Sequence, residues 1–514
     1  MQIRSCQGSK PCEVIWLASI LVIFFGINFS TIALSPTVGI DEVMFTDPAV
    51  NLRLFGRFTS AAWFAQVDQE FWSGYPPLYS LLLSVWLGLA PISPAGVRSL
   101  NLVLMALASI AMWLALRRSE LIRSPGTRLL FVALVLCSYC TAFSYRSGRP
   151  DTLGILLMSL LALVAARKPS GLRLVFAFAL GALLPWAGLQ FVAYVAVLSI
   201  LAVLVAKRII LIAVVLAAGV AAGGVALALL YISMGTLNGF VESVQPNIPT
   251  ALGGARHASL FTAVRPLLFT DYGTLLLLPT LALIAVISFG RTPDDRQVDR
   301  HMLLFFILVV MIVPPLLYLV GKYPIYYFWM SFIPLSVLAV FVIDNASPRQ
   351  SYAWYIAFGL VCITALVGLP ARTAFALLEA DGWDYARVSA HVGSTMRGDD
   401  TVFTDFPAAY YPAKLRARKV YLPPYLPLIP RSERRDISVA ILVPRPAFDP
   451  KSFLSKEFGG DWEKIGPDYA PSQQQRFSFA QLVGFAPPYQ FSVWRRQAIS
   501  NFGSPADTGK HSPL

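Results

Sequence analysis

Ser35-Pro36-Thr37-Val38-Gly39-Ile40-Asp41-Glu42-Val43-Met44-Phe45-Thr46-Asp47 is the stretch whose reading decides the fold. It follows directly on an apolar run at residues 14–34 and sets Asp41 and Glu42 where that run should leave a bilayer. Carboxylates at a hydrocarbon edge are costly, so a pair of them there marks a functional-site candidate. The competing reading is that they simply end a helix and face water, because acidic residues resist burial.

Around this stretch the 514-residue chain is 56% hydrophobic and only 13% charged, with a mean hydropathy of +0.63. Soluble domains run at about 45–50% apolar and about 25% charged. Apolar runs of about 17–25 residues recur along the chain, the length a bilayer crossing needs. This is the pattern of an all-α polytopic membrane protein. The net charge of +13 does not imply nucleic acid, because the Lys and Arg cluster at the ends of apolar runs as the positive-inside rule expects. Five cysteines give no disulfide framework, and Cys137-x-x-Cys140 lies inside an apolar run, where buried inert thiols are expected. Arg4 and Lys10 precede the first run without a small-residue cleavage site, so it is read as a retained span.

Working outward, residues 35–75 form the first polar loop, in which Leu54, Phe58 and Ala62 are spaced by four and predict a surface-lying amphipathic helix. The apolar piece from Pro77 to Pro91 is short for a crossing and reads as interfacial or re-entrant. That choice delivers Arg117, Arg118, Arg123 and Arg128 to the same side as the N-terminus. Further spans are expected at 97–116, 128–144, 150–166, 173–189, 190–206, 209–233, 273–290, 302–320, 326–343 and 352–369. With the first they make about eleven crossings. The organisation is thus a membrane module at 1–369 and a polar, Pro- and Arg-rich tail at 370–514. The tail is expected to be a small α/β extracytoplasmic domain, with a helix over 372–391, strands at 420–422 and 439–443, and a disordered end after Gln497.

Three polar pieces fall on the face where Asp41 emerges: the first loop, the turn Ser144-Tyr145-Arg146-Ser147-Gly148-Arg149-Pro150-Asp151, and the turn around Lys322. Asp151 would sit in the first turn of the next helix, favourable against the helix dipole, and this alone could account for it. Lys322 is flanked by Tyr323, Tyr326 and Tyr327. A cation among aromatics at a bilayer boundary suits a phosphate headgroup, although aromatic belts also form without one. Arg256 and His257, after Gly253-Gly254-Ala255, could belong to a substrate-gripping loop or be exposed loop residues.

The order of these parts carries a resemblance. Asp41-Glu42 after the first span, Pro76-Pro77-Leu78-Tyr79, Arg149-Pro150-Asp151 before a later span, and Gly321-Lys322 ahead of a Tyr- and Pro-bearing span recur together. Over roughly residues 14–345 the chain resembles membrane glycosyltransferases of the C-type fold that use lipid-phosphate sugars, in the branch of the protein O-mannosyltransferases and bacterial aminoarabinose transferases. The resemblance implies Asp41 as catalytic base with Glu42 beside it. It places Asp151 at the active-site mouth and implies a donor-phosphate contact from Lys322. Beside these, Arg149, Arg146 and Tyr326 are candidates for the donor phosphate, and Asp151, Tyr75, Tyr79, Arg256 and His257 for the substrate. Its partners would be a polyprenyl-phosphate-linked sugar, a hydroxyl-bearing glycan, lipid or protein acceptor, and the lipid bilayer, with no nucleic acid. One departure is Ser73-Gly74-Tyr75, where many relatives carry His or Glu-Lys before the first proline; Asp68 or Glu70 could substitute. A divalent cation stays open as a cofactor, although the four histidines, at 257, 301, 391 and 511, are too scattered for a His-based site.

The chemistry follows from residue types. The negative charge of a departing lipid phosphate must be held by Lys or Arg. The acceptor hydroxyl is a weak nucleophile and needs a carboxylate to take its proton. A single displacement inverts the anomeric centre. The expected setting is a bacterial inner membrane with the site and the tail facing the periplasm. Competing functions are a lipid-linked sugar flippase or transporter, a polysaccharide ligase or polymerase, and a non-catalytic scaffold. Carriers tend to show paired halves with helices broken at midplane, and no such halves are visible.

Overall fold

The computed structural model describes residues 10–64, 66–205, 209–244, 300–319, 327–345, 351–446, 448–470 and 488–497. In chain order its helices begin with α1 (Lys10–Thr31), α2 (Ile40–Phe55), α3 (Leu78–Trp86), α4 (Pro94–Ser119) and α5 (Pro125–Cys137). They continue with α6 (Tyr139–Tyr145), α7 (Asp151–Ala165), α8 (Gly171–Ala187), α9 (Leu189–Val205), α10 (Ile210–Ser233) and α11 (Leu237–Val244). After residue 299 come α12 (Arg300–Leu319), α13 (Trp329–Asn345), α14 (Ser351–Val367) and α15 (Leu369–Leu378).

Most expected spans are present as helices, with bounds shifted by a few residues. Among the described residues, four helical stretches are long and apolar enough to cross a membrane: Cys12–Thr31, Pro94–Ser119, Ile210–Ser233 and Tyr355–Leu378. The pair α5–α6, bent by 59°, makes a fifth if counted as one span. Further apolar helices of 10–17 residues, α7, α8 and α9 among them, complete the bundle. Among the described residues the count of eleven is not confirmed on length and composition, and the expected span at 273–290 lies outside them. The chain is a multi-pass membrane protein.

Local chemistry sets the helix ends. Ser93 caps α4 by accepting the Gly96 N–H at 3.2 Å, Pro94 takes the first position, and Arg117 and Arg118 close the last turn. In α10, Gly219-x-x-x-Gly223 lets the backbone meet α8 directly: a Cβ on Gly219 would lie 2.2 Å from the Phe178 carbonyl oxygen, and one on Gly223 2.0 Å from that of Ala182. Small residues four apart are how membrane helices pack without a hydrophobic driving force.

Two sequence expectations shift. The helix of the first loop is α2, earlier than the Leu54–Phe58–Ala62 spacing suggests. Gly56 ends it in the left-handed conformation (φ 67°), donating its N–H to the Leu52 carbonyl, and Phe58 and Ala62 are buried beyond it outside any helix. The helix expected over 372–391 is broken into α15 and α16 (Tyr385–Thr395), because Asp384 accepts the Ala386 and Arg387 N–H groups and starts a new helix. α3 spans only 9 residues, about half the thickness of a hydrocarbon core, in keeping with a segment that does not cross.

The tail builds a five-stranded mixed sheet. Its strands are β1 (Thr401–Thr404), β2 (Lys419–Tyr421), β3 (Val439–Leu442), β4 (Trp462–Lys464) and β5 (Ser492–Arg496), in spatial order β2-β1-β3-β5-β4. β1 runs parallel to β2 and β3, and β5 pairs antiparallel with β3 and β4. Two of these strands are those expected at 420–422 and 439–443. After β1 the chain enters α17 (Tyr410–Lys414), and helix α18 (Pro450–Phe458) precedes β4. Val402, Val439, Ala440 and Ile441 are fully buried.

The tail packs against the first loop. Tyr411 and Thr46 share a hydrogen bond of 3.2 Å, Tyr489 accepts the Val38 N–H at 3.3 Å, and Tyr425 accepts that of Asp68 at 2.8 Å. Lys419 pairs with the Asp68 carboxylate at 2.5 Å, which commits Asp68 to this contact.

Candidate functional site

α2 starts at Gly39 without a side-chain cap; the Val43 N–H closes its first turn on the Gly39 carbonyl, and tertiary contacts orient Asp41 and Glu42 there. The two acidic residues part company there. Glu42 is buried against α4, where Arg98 grips both its oxygens at 2.7–3.2 Å. Arg98 also donates to the carbonyls of Ile32 and Pro36, so one guanidinium ties α4 to α2 and to the chain leaving α1.

Asp41 points the other way. Its side chain is 50% exposed, and its Oδ2 lies 2.6 Å from Arg149 Nη1. Arg149 is 6% exposed and uses Nε to hold Asp151 Oδ2 at 2.9 Å; Asp151 itself is buried. One arginine thus bridges an accessible and a buried carboxylate. Phe45, one turn beyond Asp41 on the same helix face, sets its ring 5.2 Å from the Arg149 guanidinium carbon, a cation–π contact that fixes the plane of the fork.

The wall continues through both tyrosines of the Pro-Pro element. Tyr75 meets Phe45 edge-on at 4.9 Å, accepts a hydrogen bond from Gln190 and, through its carbonyl, one from Tyr231 at 3.1 Å. Burial raises the Tyr75 phenol well above its ordinary pKa, so it stays protonated. Asn101 donates to Tyr79 at 3.3 Å and to the carbonyls of Ser147 and Arg149, pinning the turn that presents Arg149. Gly148 fits in this turn because a Cβ would come within 2.6–2.9 Å of Val97, Glu42 and Thr46.

Arg146 takes another role from its neighbour. Its guanidinium donates to Asn28 Oδ1 at 2.6 Å and to the carbonyls of Thr31 and Ser35, closing the end of α1. Lys322, Tyr326, Arg256 and His257 lie outside the described residues. The structure therefore brings together Asp41, Glu42, Arg149, Asp151, Tyr75 and Tyr79. To these it adds Arg98, Phe45, Asn101 and Gln190, which the sequence reading passed over; an arginine near the start of an apolar run was the one signal there to be read.

Among the described residues no group of three or more His, Cys, Asp or Glu side chains could hold a metal ion. The Asp41–Asp151 pair does not fit one either, since the Arg149 guanidinium already stands between the two carboxylates. A cavity of about 500 Å³ lies elsewhere in the bundle, with Met112, Phe131, Ile155, Tyr194 and Trp329 on its walls and Glu120 and Arg123 beside them at the end of α4.

The fold that holds this site is the C-type glycosyltransferase fold. The chain superposes on ArnT from Cupriavidus metallidurans bound to undecaprenyl phosphate with a TM-score of 0.62, at 12% identity, over 96% of this chain and 99% of that one. The apo state of that protein gives 0.56, at 13% identity, over 94% and 98%. No protein-family model matches the chain, and no curated protein matches it by sequence.

Proposed function

We propose that this protein is an integral-membrane glycosyltransferase that moves a sugar from a polyprenyl-phosphate donor to an acceptor hydroxyl. The observation that carries the reading is the half-exposed Asp41 carboxylate, held 2.6 Å from an arginine that is itself anchored to buried Asp151. The shared fold with a protein captured on undecaprenyl phosphate supports it.

In this reading Asp41 accepts the proton of the incoming hydroxyl as the oxygen attacks the anomeric carbon. Arg149, which holds Asp41 at 2.6 Å, is proposed to meet the negative charge gathering on the departing phosphate. Attack from the face opposite the phosphate inverts the anomeric centre. Lys322, Tyr326, Arg256 and His257 are proposed as further donor and substrate contacts. The membrane module ends at residue 369, and the site and the tail face the periplasm from a bacterial inner membrane.

The test is turnover of radiolabelled polyprenyl-phosphate sugars by the purified protein and by Asp41→Asn. Wild type should transfer label, and the variant should lose at least about 10²-fold in kcat, the range typical of general-base removal. Equal turnover removes Asp41 as the base. Flippase activity without transfer replaces the functional reading altogether.

A further inference from the structure

We propose that Asp47, gripped by Tyr410 and Lys414 of the tail, is a positioning residue that fixes the rotation of α2 and so aims Asp41 at Arg149. The inference rests on the functional reading above and names a residue that reading does not use.

Asp47 is fully buried, and its carboxylate accepts from five donors drawn from three parts of the chain. Tyr410 Oη and Lys414 Nζ (3.4 Å) reach Oδ1 from the tail. Ser60 Oγ (2.7 Å) and the Ala61 N–H (2.9 Å) reach Oδ2 from the first loop, and Asn51 (3.3 Å) reaches it from α2 itself. Burial and the adjacent Asp47 charge raise the Tyr410 phenol far above its ordinary pKa, so it remains a donor. Tyr411 bonds Thr46 beside this cluster, giving the tail two successive grips on one turn of α2.

The geometry gives that grip a consequence at the site. α2 has 16 residues and no side-chain cap, close to the length at which an isolated helix is marginal, so its setting is dictated by what holds it. Six residues separate Asp47 from Asp41, which places them roughly 120° apart around the helix. A hold at Asp47 therefore fixes rotation about the axis without occupying the face that Asp41 and Phe45 present to Arg149. With side chains at a radius of about 5 Å, a rotation of about 12° displaces Asp41 by roughly 1 Å. Misplacement on that scale is enough to cost about 10²-fold in rate.

The experiment uses full-length protein in nanodiscs. It compares wild type, Tyr410→Phe and Lys414→Met, with Lys414→Arg as the conservative variant. The readouts are kcat and donor KM with a polyprenyl-phosphate sugar, and hydrogen exchange over residues 40–55. Tyr410→Phe and Lys414→Met should lower kcat about 10-fold or more with donor KM within about twofold, and Lys414→Arg should recover most of the loss. Exchange in α2 should quicken while β1 and β3 keep wild-type protection. Wild-type kcat, or α2 exchange unchanged in a folded variant, overturns the proposal. If Tyr410→Phe fails to fold, Ser60→Ala carries the same expectation, since it removes one neutral bond to the Asp47 carboxylate. Wild-type protein inactive on every lipid-phosphate sugar defeats the functional reading alone, and α2 exchange then decides the positioning role by itself.

Discussion

Arg98 Nη2 and Glu42 Oε2 meet at 2.7 Å, both side chains almost wholly out of solvent, one residue along the helix from the half-exposed Asp41. The acidic pair that looks uniform in sequence is divided by this contact. Glu42 anchors the loop, and Asp41 is left to face the site.

The anchor should behave as a buried ion pair. Removing one partner strands the other charge, so Glu42→Gln or Arg98→Met should each destabilise the folded protein by about 3–5 kcal/mol. The double variant should fall short of the sum by about 1–3 kcal/mol, as neighbours that share an interaction do. Thermal unfolding in detergent measures all three; strictly additive losses would show that the two side chains do not act together.

Arg149 bridges Asp41 and Asp151 through separate nitrogens, a geometry that a single ammonium cannot reproduce. Arg149→Met should lower kcat by about 10²–10³, the scale of losing one electrostatic donor to a developing oxyanion. Arg149→Lys should restore only part of it. Steady-state kinetics with the lipid-phosphate donor decides this, and a fully active Met variant would remove Arg149 from the chemistry.

The tail carries a pH-dependent tie of its own. Burial alone would push the Asp400 carboxyl up, but the two-nitrogen grip of Arg495, the Arg397 N–H and the Ser438 hydroxyl outweigh it and hold the group below its ordinary pKa. A lowered folded-state pKa contributes stability that is complete above the unfolded value, about 3.9. That stability is lost as pH falls further, through the folded value. Protection of β1, β3 and β5 against hydrogen exchange should therefore be flat from pH 7 to about 5 and weaken below about 4. In Asp400→Asn the protection should be lower at neutral pH and its acid dependence reduced.

How much of this was legible depends on which signal carries each part. The spans could be read because a bilayer admits few alternatives to long apolar helices. The Arg146–Asp151 turn stood out because two arginines and an aspartate at a helix junction exceed what a connector needs. That Arg146 would close the end of α1 while Arg149 served the carboxylates was hidden, because the two differ only in which partners the folded bundle brings near. Phe45 passed as one more apolar residue, and its contact with Arg149 depends on the phase of α2. That phase is set by Gly56 and by the tail rather than by the spacing of Leu54, Phe58 and Ala62. Tyr410 and Lys414 lie more than 360 residues beyond Asp47, and no local pattern joins them.

Those separations also impose an order on synthesis. Arg149 follows Asp41 by 108 residues and Tyr410 follows Asp47 by 363. At about 5–20 residues per second, the first partner leaves the ribosome roughly 5–20 s after the loop it will hold, and the second roughly 20–70 s after. The loop bearing the proposed base therefore waits on the membrane surface through most of translation, and it is completed only when the last quarter of the polypeptide arrives.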